Sequence, residues 1–99
     1  MSVYVVIEIE VIDERAYGEY LTEVPGTLER HGGRYLARGG AVTPLAGGWA
    51  PERVVLLEFP SADAVRTWLS SEEYGRIAPL RERSTRGRAI LVEGLPDSA

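Results

Sequence analysis

Ninety-nine residues, 44% of them apolar, suffice for one core that buries roughly 60 to 70% of the surface the unfolded chain would expose; no apolar run nears the ~20 residues of a membrane span. All eleven basic residues are arginine, scattered among fifteen carboxylates at a net charge of -4, so no basic stripe offers itself to nucleic acid. Without Cys or Lys and with a single His, the chain cannot supply a thiolate, a Cys-ligated metal, a Schiff base, a Walker A lysine or paired imidazoles, and no cofactor or metal is expected.

In chain order, residues 3–12 alternate, with Val3, Val5, Ile7, Ile9 and Val11 on one face and Tyr4, Val6, Glu8 and Glu10 on the other, which predicts a strand. Asp13 is a natural N-cap, and Tyr17, Tyr20, Leu21, Val24 and Leu28 recur at helical spacing. Pro25 predicts a kink or break in that helix, because it lacks an N–H and disfavours helical geometry in Val24. His31, the only histidine, stands where the helix should end, directly before Gly32, which can take the left-handed conformation that closes a helix. The cap explains this histidine without catalysis; a general base is the alternative role.

Residues 33–42 predict a second strand and RVVLLEF a third, joined in a hairpin by the Pro- and Gly-rich TPLAGGWAPE. Ser61 can cap a helix bearing Ala64, Val65, Trp68 and Leu69, and Ser70 with Glu73 fits a capping box that restarts the helix through Tyr74, Ile77 and Leu80. Residues 86–93 predict a fourth strand, and the residues after Gly94 a short frayed tail. One domain over residues 1–94 with a tail at 95–99 follows.

The order βαββαβ is the ferredoxin-like arrangement, an α+β fold with both helices on one face of a four-stranded antiparallel sheet. By parity the other face carries Tyr4, Val6, Val54, Leu56, Ala89 and Leu91, more apolar surface than a small monomer leaves wet. A homodimer in which two sheets meet as an α/β barrel would cover it.

The run GGRYLARGG, then GGW, PERVVLLEFPS, a helix with Trp68, SSEEY, Arg81 and a closing LVEG resembles the domain-of-unknown-function family numbered 1330, of the dimeric α/β-barrel superfamily. The likeness runs from Tyr4 to Gly94, departing at Glu72, where a Ser-Pro-Glu-Tyr signature would have proline. The resemblance implies the fold and dimerisation, and no particular activity. Distant relatives by fold include cofactor-free monooxygenases, polyketide cyclases, muconolactone isomerases and dye-decolourising haem enzymes, an analogy that transfers no residue.

Two constellations carry the candidate chemistry. If the first and third strands run side by side and parallel, Glu8 and Glu58 lie near the same end of the barrel face, with Arg38 in reach of Glu58. Glu58 and Arg38 are then either a tuned acid and its guanidinium partner, with His31 as runner-up, or a structural ion pair. The second is aromatic: Tyr17, Tyr20, Trp68 and Tyr74 press onto the sheet and, with Arg81, fit either a pocket for a flat organic ligand or ordinary core packing. Trp49, flanked by Gly48 and Ala50, is expected over a partner subunit or a pocket mouth. Two functions follow: a cofactor-free enzyme moving protons on a small aromatic or polyketide-like molecule, or a non-catalytic dimeric binding or interaction module. The N-terminus lacks the basic region and cleavage site of a signal peptide, so a cytoplasmic location is expected.

Overall fold

A computed structural model describes residues 1–96. Its elements are β1 (Val3–Val11), α1 (Glu14–Glu29), β2 (Arg34–Arg38), β3 (Arg53–Phe59), α2 (Ala62–Ser70), α3 (Glu72–Ser84) and β4 (Thr85–Glu93). The four strands form one antiparallel sheet in the order β2-β3-β1-β4, with the helices on one face, which is the ferredoxin-like α+β fold. Residues 97–99, most of the predicted tail, lie outside the described residues. No helix among the described residues is long and apolar enough to cross a membrane.

The helices start where their caps stand. Asp13 Oδ1 accepts the Ala16 N–H at 3.1 Å and Ser61 Oγ that of Ala64 at 3.1 Å, each satisfying an otherwise orphaned donor. The restart between α2 and α3 is real, but its cap is Ser71 rather than Ser70. Ser71 Oγ donates to the Trp68 carbonyl at 2.6 Å and accepts from the Tyr74 N–H at 3.2 Å, closing one helix and opening the next. Pro25 does not break α1, which runs unbroken to Glu29. A proline leaves only one carbonyl unbonded there, while Val24, Thr27 and Leu28 around it are all buried, so packing outweighs the local cost.

The core is the helix-facing side of the sheet, where Val3, Val5, Ile9, Val55, Leu57 and Phe59 meet Tyr17, Tyr20, Val24, Leu28, Trp68 and Tyr74. Phe59 packs on Trp68 with ring centroids 5.4 Å apart, and Trp68 on Tyr74 at 4.5 Å. The Trp68 indole N–H donates to Thr27 Oγ1 at 2.9 Å, and that hydroxyl donates to the Val24 carbonyl at 2.8 Å, so a buried polar tip is fully paired.

Three departures from the predicted sheet decide where the functional side chains go. First, β1 and β3 are antiparallel, with Tyr4 opposite Glu58 and Glu8 opposite Val54, so the two carboxylates lie towards opposite ends of the strand pair. Second, β4 sits in the other parity: Leu91 opposes Val5 and Ala89 opposes Ile7, on the helix side, while Ile90 opposes Val6 and Val92 opposes Tyr4 on the open face. Third, β2 stops at Arg38, just before Gly39, whose φ is 73° and whose N–H still bonds the Val54 carbonyl at 3.4 Å, and its register with β3 slips between Tyr35 and Ala37. Leu36 is the extra residue of this bulge. It moves Arg38 from opposite Val54, on the open face, to opposite Val55, on the helix side.

Candidate functional site

A cavity of about 250 Å³ lies between helices and sheet. Val5, Ile7, Val55 and Leu57 form its floor, and Tyr20, Trp68 and Tyr74 from the three helices wall it. Tyr35, Arg38 and Arg81 also line it. Arg38 and Arg81 are exposed as whole residues, so they belong to the rim rather than the floor. The Arg38 guanidinium carbon stands 4.7 Å from the centre of the Tyr35 ring, a cation–π contact that the bulge makes possible by placing both residues on the helix side.

The polar chemistry inside is narrow. Tyr20 and Tyr74 share a buried hydroxyl–hydroxyl hydrogen bond of 2.9 Å. Burial pushes the Tyr20 phenol well above its ordinary pKa, reinforced by Tyr74 and only partly opposed by the charge of Arg81. Burial raises Tyr35 as well, against the pull of Arg38. These phenols are hydrogen-bond donors at neutral pH, not bases. No Asp, Glu or His lines the cavity. Five arginines have carboxylate partners: Arg30 with Glu73, Arg34 with Glu58, Arg66 with Asp63, Arg76 with Glu72 and Arg88 with Glu8. The other six, Arg15, Arg38, Arg53, Arg81, Arg83 and Arg86, make no ion pair with a carboxylate of the described residues, and of these Arg38 and Arg81 are the two that line the cavity.

The expected pairing of Glu58 with Arg38 is therefore corrected. Glu58 pairs with Arg34, its direct cross-strand neighbour, with Arg34 Nε 2.6 Å from Glu58 Oε1. That guanidinium holds the Glu58 carboxyl below the usual carboxylate range, although partial burial works the other way. Arg38 is on the other side of the sheet because of the bulge at Leu36. His31 joins neither group: its Nδ1–H donates to the Thr27 carbonyl at 2.9 Å and lies 3.3 Å from Glu73 Oε1, at the C-terminal end of α1. Gly32, at φ 76°, completes that end.

Trp49 does not belong with the other aromatics. The loop between β2 and β3 returns over the open sheet face, where the Trp49 indole N–H donates to Glu8 Oε2 at 3.1 Å and Arg88 Nε to Glu8 Oε1 at 2.7 Å. Those two donors, Trp49 first, lower the Glu8 pKa. Tyr17, Tyr20, Trp68 and Tyr74, which the sequence groups with Arg81, all line one cavity together with it. Sequence reasoning missed Tyr35, whose link to Arg38 is visible only once the bulge is known, and Arg34, whose alternation with the strand was the one available signal. Among the described residues no group of three or more His, Asp or Glu is placed to hold a metal ion.

Fold and site together define a small ferredoxin-like protein with an aromatic, arginine-rimmed cavity between helices and sheet. The chain belongs to the DUF1330 family of domains of unknown function, whose model matches residues 2–95. No curated protein sequence matches it. Among solved structures it is similar to a protein of unknown function from Rhodopseudomonas palustris (TM-score 0.81, 18% identity, covering 96% of this chain and 83% of that one). It is also similar to a dimeric ferredoxin-like protein of unknown function from Jannaschia sp. CCS1 (TM-score 0.71, 15% identity, 95% and 100% covered). A third is SnoaB, a cofactor-independent oxygenase from Streptomyces nogalater (TM-score 0.67, 14% identity, 96% and 94% covered). At such identities the likeness establishes the fold alone.

Proposed function

We propose that this protein binds a small, flat organic anion in the cavity between helices and sheet, and that any reaction it promotes there works by stabilising that anion, without a cofactor. The observation that carries this reading is the pair of rim arginines, Arg38 and Arg81, left without carboxylate partners on an aromatic cavity. In a chain with fifteen carboxylates against eleven arginines, cations without internal counterions are available to a ligand. A cavity of about 250 Å³ matches a molecule of one or two rings. The absence of a carboxylate or imidazole in its lining favours anion stabilisation over general-base catalysis by Glu58 or His31. SnoaB, a cofactor-independent oxygenase on the same fold, gives the enzymatic form of this reading a precedent.

The open sheet face supports a homodimer. Ile90 and Val92 are 62% and 43% exposed there, beside Val6 and Tyr4, and a second copy would cover them with an interface of roughly 1,200 to 2,000 Å². The solved relative from Jannaschia is dimeric.

Thermal unfolding with benzoate, 1-naphthoate and 4-nitrophenolate, set against benzyl alcohol and benzylamine, tests the ligand class. A ligand at 100 times its Kd adds about 2.7 kcal/mol to the folded state. The anions should raise the melting temperature and the neutral and cationic analogues should not. Equal shifts for all five, or none, would remove the anion reading.

A further inference from the structure

We infer that the Tyr20–Tyr74 hydroxyl pair is a hydrogen-bond donor to a ligand oxyanion, so that the cavity selects phenolates and enolates over carboxylates. This rests on the anion-binding reading and sharpens it to a chemical class. Two phenols carry two hydroxyl hydrogens. One lies in the 2.9 Å bond between them. The other has no acceptor: neither hydroxyl makes a second hydrogen bond to the described residues. Tyr20 is 8% exposed and Tyr74 4%, so bulk water is largely shut out. A buried donor without an acceptor costs free energy that an acceptor on a ligand recovers.

The lining offers no competing acceptor among its side chains other than Tyr17 and Tyr35, themselves phenols. A phenolate or enolate concentrates its charge on one oxygen and takes a single hydrogen in a short, charge-assisted bond. A carboxylate spreads its charge over two oxygens, which suits the planar fork of arginine better. The donating hydroxyl is itself polarised by the bond it accepts from its neighbour. Burial keeps the Tyr20 hydrogen in place, since it raises the Tyr20 pKa, and the charge of Arg81 stands near the same ring.

The test uses 4-nitrophenol and benzoate as probes, with Tyr20→Phe, Tyr74→Phe and the double variant, which keep the rings and so the packing. Either hydroxyl alone can turn its hydrogen to the ligand. Each single variant should therefore weaken 4-nitrophenolate by no more than about threefold, while the double variant weakens it about tenfold or more and leaves benzoate within about twofold. The pKa of bound 4-nitrophenol, read from the absorbance of its anion, should lie about one unit below the free value in the unmodified protein and return towards it in the double variant. Independently of any variant, affinity across a series of substituted phenolates should rise with the basicity of the oxyanion. Equal losses for both probes, a single variant as damaging as the double, or a flat phenolate series would overturn the inference and leave anion binding standing. Failure of both probes to bind the unmodified protein would remove the anion reading, and this inference with it.

Discussion

The two faces of the sheet treat charge in opposite ways. On the open face, two carboxylates are met within the chain: Arg34 pairs with Glu58, opposite Tyr4, and Arg88 and Trp49 bind Glu8, opposite Val54, leaving Val6, Leu56 and Ile90 between them as the apolar remainder. On the helix side the strands are apolar at their centre, with Arg38 and Arg53 at the ends of β2 and β3, and the two arginines at the cavity rim, Arg38 and Arg81, make no ion pair with a carboxylate of the described residues. What each face lacks is therefore different: the open face needs an apolar cover, and the cavity needs an anion. On the proposed reading, a second copy of the chain would supply the first and a ligand the second.

The largest effect should come from breaking the helix side. Phe59 is 1% exposed and packs on Trp68, so Phe59→Ala should lower stability by about 3–5 kcal/mol in urea unfolding. A loss under about 1 kcal/mol would mean that the packing described for this face is wrong. Next comes the open face. Leu56→Arg places a charge at its apolar centre and should convert a dimer to monomer in sedimentation while the far-ultraviolet circular dichroism stays native; an unchanged dimer would place the interface elsewhere.

How much of this contrast was readable in the sequence depends on the element. Asp13 and Ser61 announce their helices because a cap is a local device, one side chain to one N–H two or three residues on. Alternation in VYVVIEIEV assigns the faces of β1 correctly because glutamates punctuate it. In β4 the apolar centre AILV is continuous and carries no parity of its own, so Ala89 and Leu91 were expected on the wrong face; only pairing with β1 decides. Arg38 failed for a different reason. One inserted residue at Leu36 reverses every side chain after it, and nothing in RYLAR marks where a bulge will fall. The pairs of the open face depend on the antiparallel register, which puts Arg34 opposite Glu58 and Arg88 opposite Glu8. Tyr17, Tyr20, Trp68 and Tyr74 share a group because they sit on helices that press onto the sheet, a signal that survives errors in strand register because it depends on none.

A smaller, pH-dependent effect separates the faces again. Glu8 and Glu58 have lowered pKa values, so their pairs stabilise the folded state above the ordinary carboxylate value of 4.5 and lose that contribution as pH falls through the folded values. Tyr20 and Tyr35 have raised values, so the helix side keeps its stability up to the ordinary phenol value of 10.0 and loses it as pH rises beyond, where the unfolded chain ionises first. Melting temperatures should fall at both extremes. Glu58→Gln should flatten the acid limb alone and Tyr35→Phe the alkaline limb alone; the reverse assignment would contradict the account. Smallest of all is His31→Gln, which loses the bond to the Thr27 carbonyl, costs about 1 kcal/mol or less and leaves ligand binding unchanged.

Calorimetric titration of benzoate into Arg38→Met and Arg34→Met proteins tests the contrast between the two faces most directly. Both substitutions remove one guanidinium from the same five-residue strand, four positions apart. The account predicts that Arg38→Met weakens benzoate by about ten- to a hundredfold, the value of a lost charged hydrogen bond, while Arg34→Met leaves it within about twofold. Equal losses in both, or a loss confined to Arg34→Met, would show that the unpaired arginine on the helix side does not hold an anion.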